Sequence, residues 1–268
     1  MKLILKSVFT ILLLSMISCS TNDETIYEEQ VTTDLKGKLN SIEQVAYTWY
    51  QSGDQMIPYK SITKDSYFYN ANGFIKEIRT IKYSIDSTKN SIISPDTITY
   101  LREYRYENEK IKEHQTYRQG NSISIEFFKY TGDLITEKIE SSNYSSYNYK
   151  YTYNSTNDLI KEEKYLHPYP LSMTITEFTN TNGVITHEKQ TKGNNPYSID
   201  YFYDDKHNPI YDILPTSYLK ILRESKNNRI NKYKYISKII YNSENYPSQR
   251  IDSVENNNII ETNYHYYK

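Results

Sequence analysis

One motif recurs along the chain. Two aromatic residues flank a single residue, a short asparagine-rich turn follows, and then come an apolar pair and a charge. Its clearest form is Tyr67-Phe68-Tyr69-Asn70-Ala71-Asn72-Gly73-Phe74-Ile75-Lys76-Glu77. It returns from Tyr104 to Glu113, from Phe128 to Glu137 and from Tyr151 to Glu162, and more loosely from Phe178, Tyr201 and Tyr241. The turn centres fall near residues 72, 108, 132, 157, 182, 207 and 245, a repeat of about 25 residues with two stretched intervals. The aromatic arm alternates with period two, so both rings share one face of a strand. Asn72-Gly73 and Asn182-Gly183 supply the positive φ that a tight hairpin needs. Elsewhere Asn or Asp stands in for glycine, since both tolerate the left-handed region. A repeat of this length holds two strands and two turns, so seven copies predict about fourteen strands in an antiparallel meander. A sheet of that size curls, closes or splits. The expected class is therefore all-β, an antiparallel meander of repeated hairpins forming a curved sheet or a soluble barrel, with a two-sheet sandwich as the alternative.

Composition narrows the choice. Of 268 residues, 31 are tyrosine and 7 are glycine, and the two alanines are Ala46 and Ala71. Such a chain is no helical bundle, because Tyr, Ile and Thr favour pleated, half-buried surfaces. The net charge of -1 offers no overall basic footprint for nucleic acid. A single cysteine makes no intramolecular disulfide. The 15% aromatic share argues against disorder despite a mean hydropathy of -0.79. A membrane-spanning barrel needs an unbroken apolar outward face. By simple alternation Glu77 and Arg79 interrupt one face after Ile75, and Lys76 and Thr80 the other, so a soluble sheet is expected. Loops are expected over 86–96 and around Leu166-His167-Pro168-Tyr169-Pro170. The stretch 209–231 is the least strand-like, with one or two helical turns over 218–223. No linker divides 37–268, which reads as one domain.

The N-terminus reads differently. Lys2 and Lys6 precede an apolar run from Ser7 to Ile17, too short to span a membrane and suited to the core of a signal peptide. Met16-Ile17-Ser18-Cys19 resembles a lipobox, the processing site of bacterial lipoproteins, with methionine where leucine is usual. The resemblance implies that residues 1–18 are a signal peptide, that Cys19 is lipidated, and that 19–36 is a tether. Several acyl chains would hold the protein stably to a membrane. Ser20-Thr21-Asn22-Asp23-Glu24 resembles the surface-export signal of Bacteroidota lipoproteins. The hairpins resemble the YD repeats of large bacterial surface and toxin-shell proteins. More widely, 37–268 resembles Bacteroidota lipoproteins that carry an uncharacterised domain of porin-like fold. The matching turns are Tyr203-Asp204-Asp205-Lys206-His207-Asn208-Pro209, Asn227-Asn228 and Asn245-Tyr246-Pro247, with Asn245 where that family has glycine. The resemblance implies a fold and an envelope location, and carries over no reaction.

Chemistry is sparse by comparison. His114, His167, His187, His207 and His265 show no ligand spacing, and no second cysteine completes a zinc pattern. Asp204-Asp205 suits a turn better than a cation. Glu162-Glu163 and Glu28-Glu29 are adjacent, so on a strand they face opposite sides and form no acid/base pair, although carboxylates could still meet across strands as in glycosidases. Stacked tyrosines can bind sugars, yet recurrence at every hairpin favours packing across strands. Trp49, beside Tyr50, breaks the register and suits a core plug or a cap. The candidate ligand surface comprises Trp49, Tyr50, Tyr149, Tyr151, Tyr233 and Tyr235. The expectation is a non-enzymatic outer-membrane or cell-surface lipoprotein that binds a glycan, a peptide or an envelope protein, with a purely structural envelope component as the alternative and an enzyme a distant third. No cofactor and no nucleic acid are expected, and the membrane is reached through the lipid anchor.

Overall fold

The alternating arms form strands throughout. The computed structural model describes residues 34–268 apart from 53–54, 87–90, 93–96, 170–172, 194, 233–234 and 254–258. Cys19 with its lipobox, the tether up to residue 33, and Tyr233 lie outside the described residues. The first long run is β1 (Leu39–Ser52), β2 (Gln55–Tyr69), β3 (Ile75–Asp86), the short β4 (Ser91–Ile92), β5 (Ile98–Glu107), β6 (Lys110–Arg118) and β7 (Asn121–Thr131). It continues through β8 (Leu134–Ser142), β9 (Ser146–Tyr153), β10 (Leu159–His167), β11 (Met173–Thr181), β12 (Val184–Lys192) and β13 (Asn195–Asp200). An irregular passage holds β14 (Tyr203–His207), a 3-10 turn at Tyr211–Ile213, helix α1 (Thr216–Leu222), β15 (Asn227–Arg229), β16 (Asn231–Lys232) and β17 (Tyr235–Ile236). The chain ends with β18 (Lys238–Tyr241), β19 (Pro247–Ser253) and β20 (Ile259–Tyr266).

One continuous sheet results, in the order β13-β12-β11-β10-β9-β8-β7-β6-β5-β3-β2-β1-β20-β19-β18, with β4 added to β3. Every pairing is antiparallel, and the last strand returns to the first through β1 and β20. The sandwich alternative is not what forms. Nor does the sheet close, since among the described residues no ladder joins β13 to β18. The passage between them makes two separate two-stranded ladders, β14 with β15 and β16 with β17.

The sixth copy of the motif explains this departure. Its aromatic arm is present, but no returning hairpin strand follows. Pro209 lacks the donor a ladder needs. The Asn208 amide instead donates to Glu224 Oε2 and to the Ser225 carbonyl, both at 2.8 Å, which ties the start of the excursion to its end. The intervening residues become the 3-10 turn and α1. The predicted fourteen strands are exceeded because this passage is cut into short pieces.

The sheet is strongly curved around α1. A seven-residue helix is about 10 Å long. Tyr218 on it meets the rings of Tyr104 on β5 and Phe128 on β7, at 6.3 and 5.4 Å. Arg223, at its end, reaches Glu162 on β10 and Glu188 on β12, at 3.1 and 3.0 Å. Seven strand steps separate β5 from β12, about 34 Å on a flat sheet at about 4.8 Å per step. A helix this short touches both only if the sheet wraps it. The concave side therefore holds the core, in which Tyr67, Ile78, Tyr104, Phe128, Tyr151 and Phe178 surround Tyr218, Leu219 and Ile221.

Each hairpin built on an asparagine turn carries one extra residue in its returning strand. In the first, Phe68 faces Glu77 while Tyr69 faces Ile75, so Lys76 is the bulge. The same slip follows Ile111, Ile135, Leu159, Ile185 and Pro247. A one-residue slip reverses which side chains face inward. Ile75, Ile111, Ile135 and Leu159 are thereby buried, and the residues three positions on also turn inward, Ile78 and Glu162 buried and His114 and Lys138 half-buried. Simple alternation from Ile75 was therefore the wrong frame: Ile75 shares its face with Ile78 and Thr80, while Arg79 and Lys76 are exposed.

Candidate functional site

The two tyrosines of each arm have different duties. The first ring packs in the core, as do Tyr67, Tyr104 and Tyr151. The second sends its hydroxyl to the carbonyl of the aliphatic residue just before the bulge of the preceding hairpin. Tyr106 donates to Ile75 O at 2.6 Å, Tyr130 to Ile111 O at 2.8 Å, Tyr153 to Ile135 O at 2.7 Å, and Tyr203 to Ile185 O at 2.9 Å. Tyr69 does the same to Leu39 O, and Tyr266 to Pro247 O at 2.7 Å. In the copy where asparagine replaces tyrosine, the Asn180 amide donates to Leu159 O at 2.8 Å. This ladder runs along the end of the sheet where the asparagine turns lie. Burial disfavours the charged form and raises the pKa of these hydroxyls, that of Tyr130 to about 12, so they remain donors.

Away from that end the concave face becomes polar. The register aligns Tyr104 with His114, His114 with Glu126, Glu126 with Glu140, and Glu140 with Tyr147 across successive strands. The imidazole of His114 stacks on Tyr104 at 4.5 Å and its Nδ1 meets Glu126 at 3.1 Å. The Lys138 ammonium donates to Glu126 at 2.8 Å, and the Tyr149 hydroxyl to Glu140 at 2.6 Å. Burial opposes ionisation of Glu126, yet the His114 hydrogen bond and the Lys138 charge prevail and hold it down to about 2. Beneath α1 a second network joins Arg223 to Glu162 and Glu188, with the guanidinium 4.9 Å from the Phe178 ring. There burial disfavours the cation, but the two carboxylates outweigh it and keep Arg223 charged. A third links Arg102 to Asp65 at 3.1 Å and to Thr80.

Lys164 differs from these. Its ammonium lies 4.2 Å from the Tyr147 ring and 5.1 Å from the Tyr149 ring, and among the described residues it has no carboxylate partner. At the end of the sheet opposite the asparagine turns, two tyrosines stand in solvent: Tyr144 is 98% exposed and Tyr169 is 67% exposed. Tyr144 tops the β8–β9 turn, which serines hold. Ser142 N donates to Ser145 O at 2.8 Å, and Ser142 Oγ accepts from Ser145 N at 3.2 Å. Tyr169 tops the neighbouring β10–β11 connection. The polar end thus combines exposed rings, hydroxyls, and a cation without a counter-charge.

The structure shares its fold with a porin-like protein. That protein comes from Bacteroides uniformis, and the two superpose with a TM-score of 0.54 over 87% of this chain and 98% of the other, at 9% identity. No family profile and no curated protein matches the sequence. At that identity the likeness establishes the architecture alone.

The sequence candidates distribute unevenly over this fold. Tyr149 and Tyr151 are buried, at 7% and 6% exposure, with their rings stacked at 6.4 Å, so they contribute to the interior network and not to an exposed surface. They face inward because β9 alternates strictly and Tyr151 shares the core side with Phe128. Trp49 and Tyr50 lie in β1 opposite Pro58 and Ile57, and Tyr235 lies in β17 opposite Lys232; their side chains are outside the described residues, as is all of Tyr233. Asp204 serves its turn: it accepts from Lys206 N at 2.9 Å and Asn228 N at 3.1 Å, and also from the Tyr241 hydroxyl. Asp205 pairs with Lys206. Among the described residues no group of three His, Cys, Asp or Glu side chains is placed to hold a metal. Glu162 points inward to Arg223 while Glu163 pairs with Lys161 at 2.8 Å. Sequence reasoning missed Tyr144, Tyr169 and Lys164. The available signal for Tyr144 was an aromatic ring centred in Ser141-Ser142-Asn143-Tyr144-Ser145-Ser146, outside any Tyr-x-Tyr arm.

Proposed function

We propose that this protein is a non-enzymatic component of the bacterial cell envelope, lipid-anchored at Cys19 to the outer membrane, whose concave sheet binds a ligand at its polar end. The observation that carries the reading is the pair of solvent-exposed tyrosines, Tyr144 and Tyr169, at the same end of the sheet as the half-buried polar groups. Exposed rings beside hydrogen-bonding groups suit a glycan, a peptide or a partner protein of the envelope. The envelope location rests on the lipobox resemblance and fits a fold shared with a porin-like protein. The non-enzymatic reading is supported by the charge pairing: Glu162 and Glu188 are both held by Arg223, and of the facing pair Glu126 and Glu140 the first is held by Lys138 and His114 while the second accepts from Tyr149. A purely structural envelope role is the second reading, favoured by the tyrosine ladder, which commits most arms to holding the sheet.

A glycan and peptide array probed with the purified full chain tests the ligand surface. Binding that Tyr144→Ala and Tyr169→Ala together reduce at least ten-fold is expected. A blank array from folded protein favours the structural role. For the anchor, Cys19→Ser should move the chain out of the membrane fraction and abolish acyl labelling; retention with labelling intact refutes it.

A further inference from the structure

Resting on that reading of the polar end, we infer that its ligand is an acidic glycan, bound through Lys164 and Lys192 on either side of Thr174. The register places Lys164 opposite Thr174, and Thr174 opposite Lys192, so the three side chains share the concave face on β10, β11 and β12. Adjacent strands lie about 4.8 Å apart, which sets the two lysine backbones about 10 Å apart. A single acidic residue of a saccharide fits between two long side chains at that spacing, with the threonine hydroxyl beneath it.

The charges around these lysines are already matched. Glu140 accepts from Tyr149 and faces Lys138 at 3.5 Å, Glu126 is held by Lys138 and His114, and Glu162 is held by Arg223. That leaves Lys164 and Lys192 without a carboxylate among the described residues. Lys164 is half-buried, and its ammonium is positioned by two tyrosine faces. A cation–π contact fixes a cation in place while leaving its charge unneutralised. Withdrawing an ammonium from water has a cost that an arriving anion recovers. The rings decide between classes of ligand. A simple anion would use the lysines and leave Tyr144 and Tyr169 idle, and a neutral sugar would use the rings and leave the lysines idle. An acidic glycan uses both, stacking sugar faces on exposed rings and placing its carboxylate or sulfate between the lysines.

Calorimetric titration of the full chain in detergent tests this with four probes: a hexuronate oligosaccharide, a sulfated oligosaccharide of equal length, a neutral hexasaccharide and inorganic phosphate. At least one acidic saccharide should bind ten-fold or more tightly than the neutral one, and its affinity should fall as salt is raised. Which acidic probe wins separates carboxylate from sulfate. Lys164→Gln and Lys192→Gln should each weaken that binding ten-fold or more, with the urea midpoint unchanged, and Lys164→Arg should restore most of it. Equal affinity for the neutral saccharide, or no effect of either Gln variant, overturns the acidic assignment and leaves the ligand surface standing. Phosphate bound as tightly as the saccharides overturns the glycan assignment. Silence with every probe overturns this inference, and silence together with a blank array removes the ligand surface as well.

Discussion

The two ends of the concave face use the same amino acid in opposite ways. At the asparagine-turn end, tyrosine hydroxyls are tied one after another to buried backbone carbonyls, and the rings enclose α1. At the other end, Tyr144 and Tyr169 project into solvent from the turns, and the strands below carry ion pairs and an unmatched lysine. The difference shows that tyrosine content alone says nothing about binding. What decides is whether a hydroxyl has a protein partner and whether a ring has neighbours. The bulges create the contrast, because each slip turns an aliphatic residue inward at the turn end and the residue three positions later inward above it.

The largest expected effect is at the junction of the two ends. Removing Arg223 leaves Glu162 and Glu188 buried without their counter-charge, and breaking such a pair costs roughly 3–5 kcal/mol. Arg223→Ala should lower the urea-denaturation stability by that amount, and adding Glu162→Gln with Glu188→Gln should recover part of it. A loss under about 1 kcal/mol would mean that α1 does not depend on this lock and that the turn end is not the rigid partner.

A second, somewhat smaller effect is written in pH. Glu126 is held at about 2 when folded, against an ordinary value of 4.5. Because the folded value is the lower one, its contribution is fully present above pH 4.5 and is lost as pH falls from there toward 2. The amount is on the order of 3 kcal/mol, at about 1.4 kcal/mol per pKa unit. Equilibrium unfolding followed between pH 6 and 2 should show the loss, and Glu126→Gln should flatten that part of the curve. An unchanged curve in the variant would mean that the polar end is not held by its own ion pairs.

Much of this architecture was legible in the chain. Period-two tyrosines gave the strands, and asparagine turns gave six hairpins, those that return at Ile75, Ile111, Ile135, Leu159, Ile185 and Pro247. That 209–231 is the least strand-like stretch, with a helical turn or two over 218–223, was also visible. The bulges were not, because an extra residue such as Lys76 or Lys112 has no composition of its own and shows only in how Tyr69 and Tyr106 pair. The open edge was hidden for a different reason. Tyr201 to Ile210 carries the full aromatic arm, and its Tyr203 still makes the ladder bond, so the local pattern gives no warning that Asn208 will bind Ser225 instead of starting a hairpin. Charged side chains on the concave face were hidden for the same reason as the bulges. Alternation counted from Ile135 or Leu159 puts Lys138 and Glu162 outside, whereas one slip brings both in.

The smallest effect gives the sharpest comparison, because one substitution can be made at both ends. Tyr106→Phe deletes only the hydroxyl that donates to the Ile75 carbonyl, on a residue with 1% of its surface exposed. A typical net hydrogen bond contributes about 1 kcal/mol, and a buried acceptor left without its donor costs at least that. Tyr144→Phe deletes the hydroxyl of a ring that is 98% exposed, where no protein partner is lost, so its effect on stability should stay within about 0.5 kcal/mol. Both are read from the urea midpoint at constant slope. Ligand binding should invert the ranking: Tyr144→Phe keeps the ring and preserves stacking, Tyr144→Ala removes it and weakens binding, and Tyr106→Phe leaves affinity untouched. Equal stability losses at the two positions would show that the ladder is an accident of repeated sequence. A loss of affinity in Tyr106→Phe would show that the two ends are coupled through α1, and the division of labour between them would have to be given up.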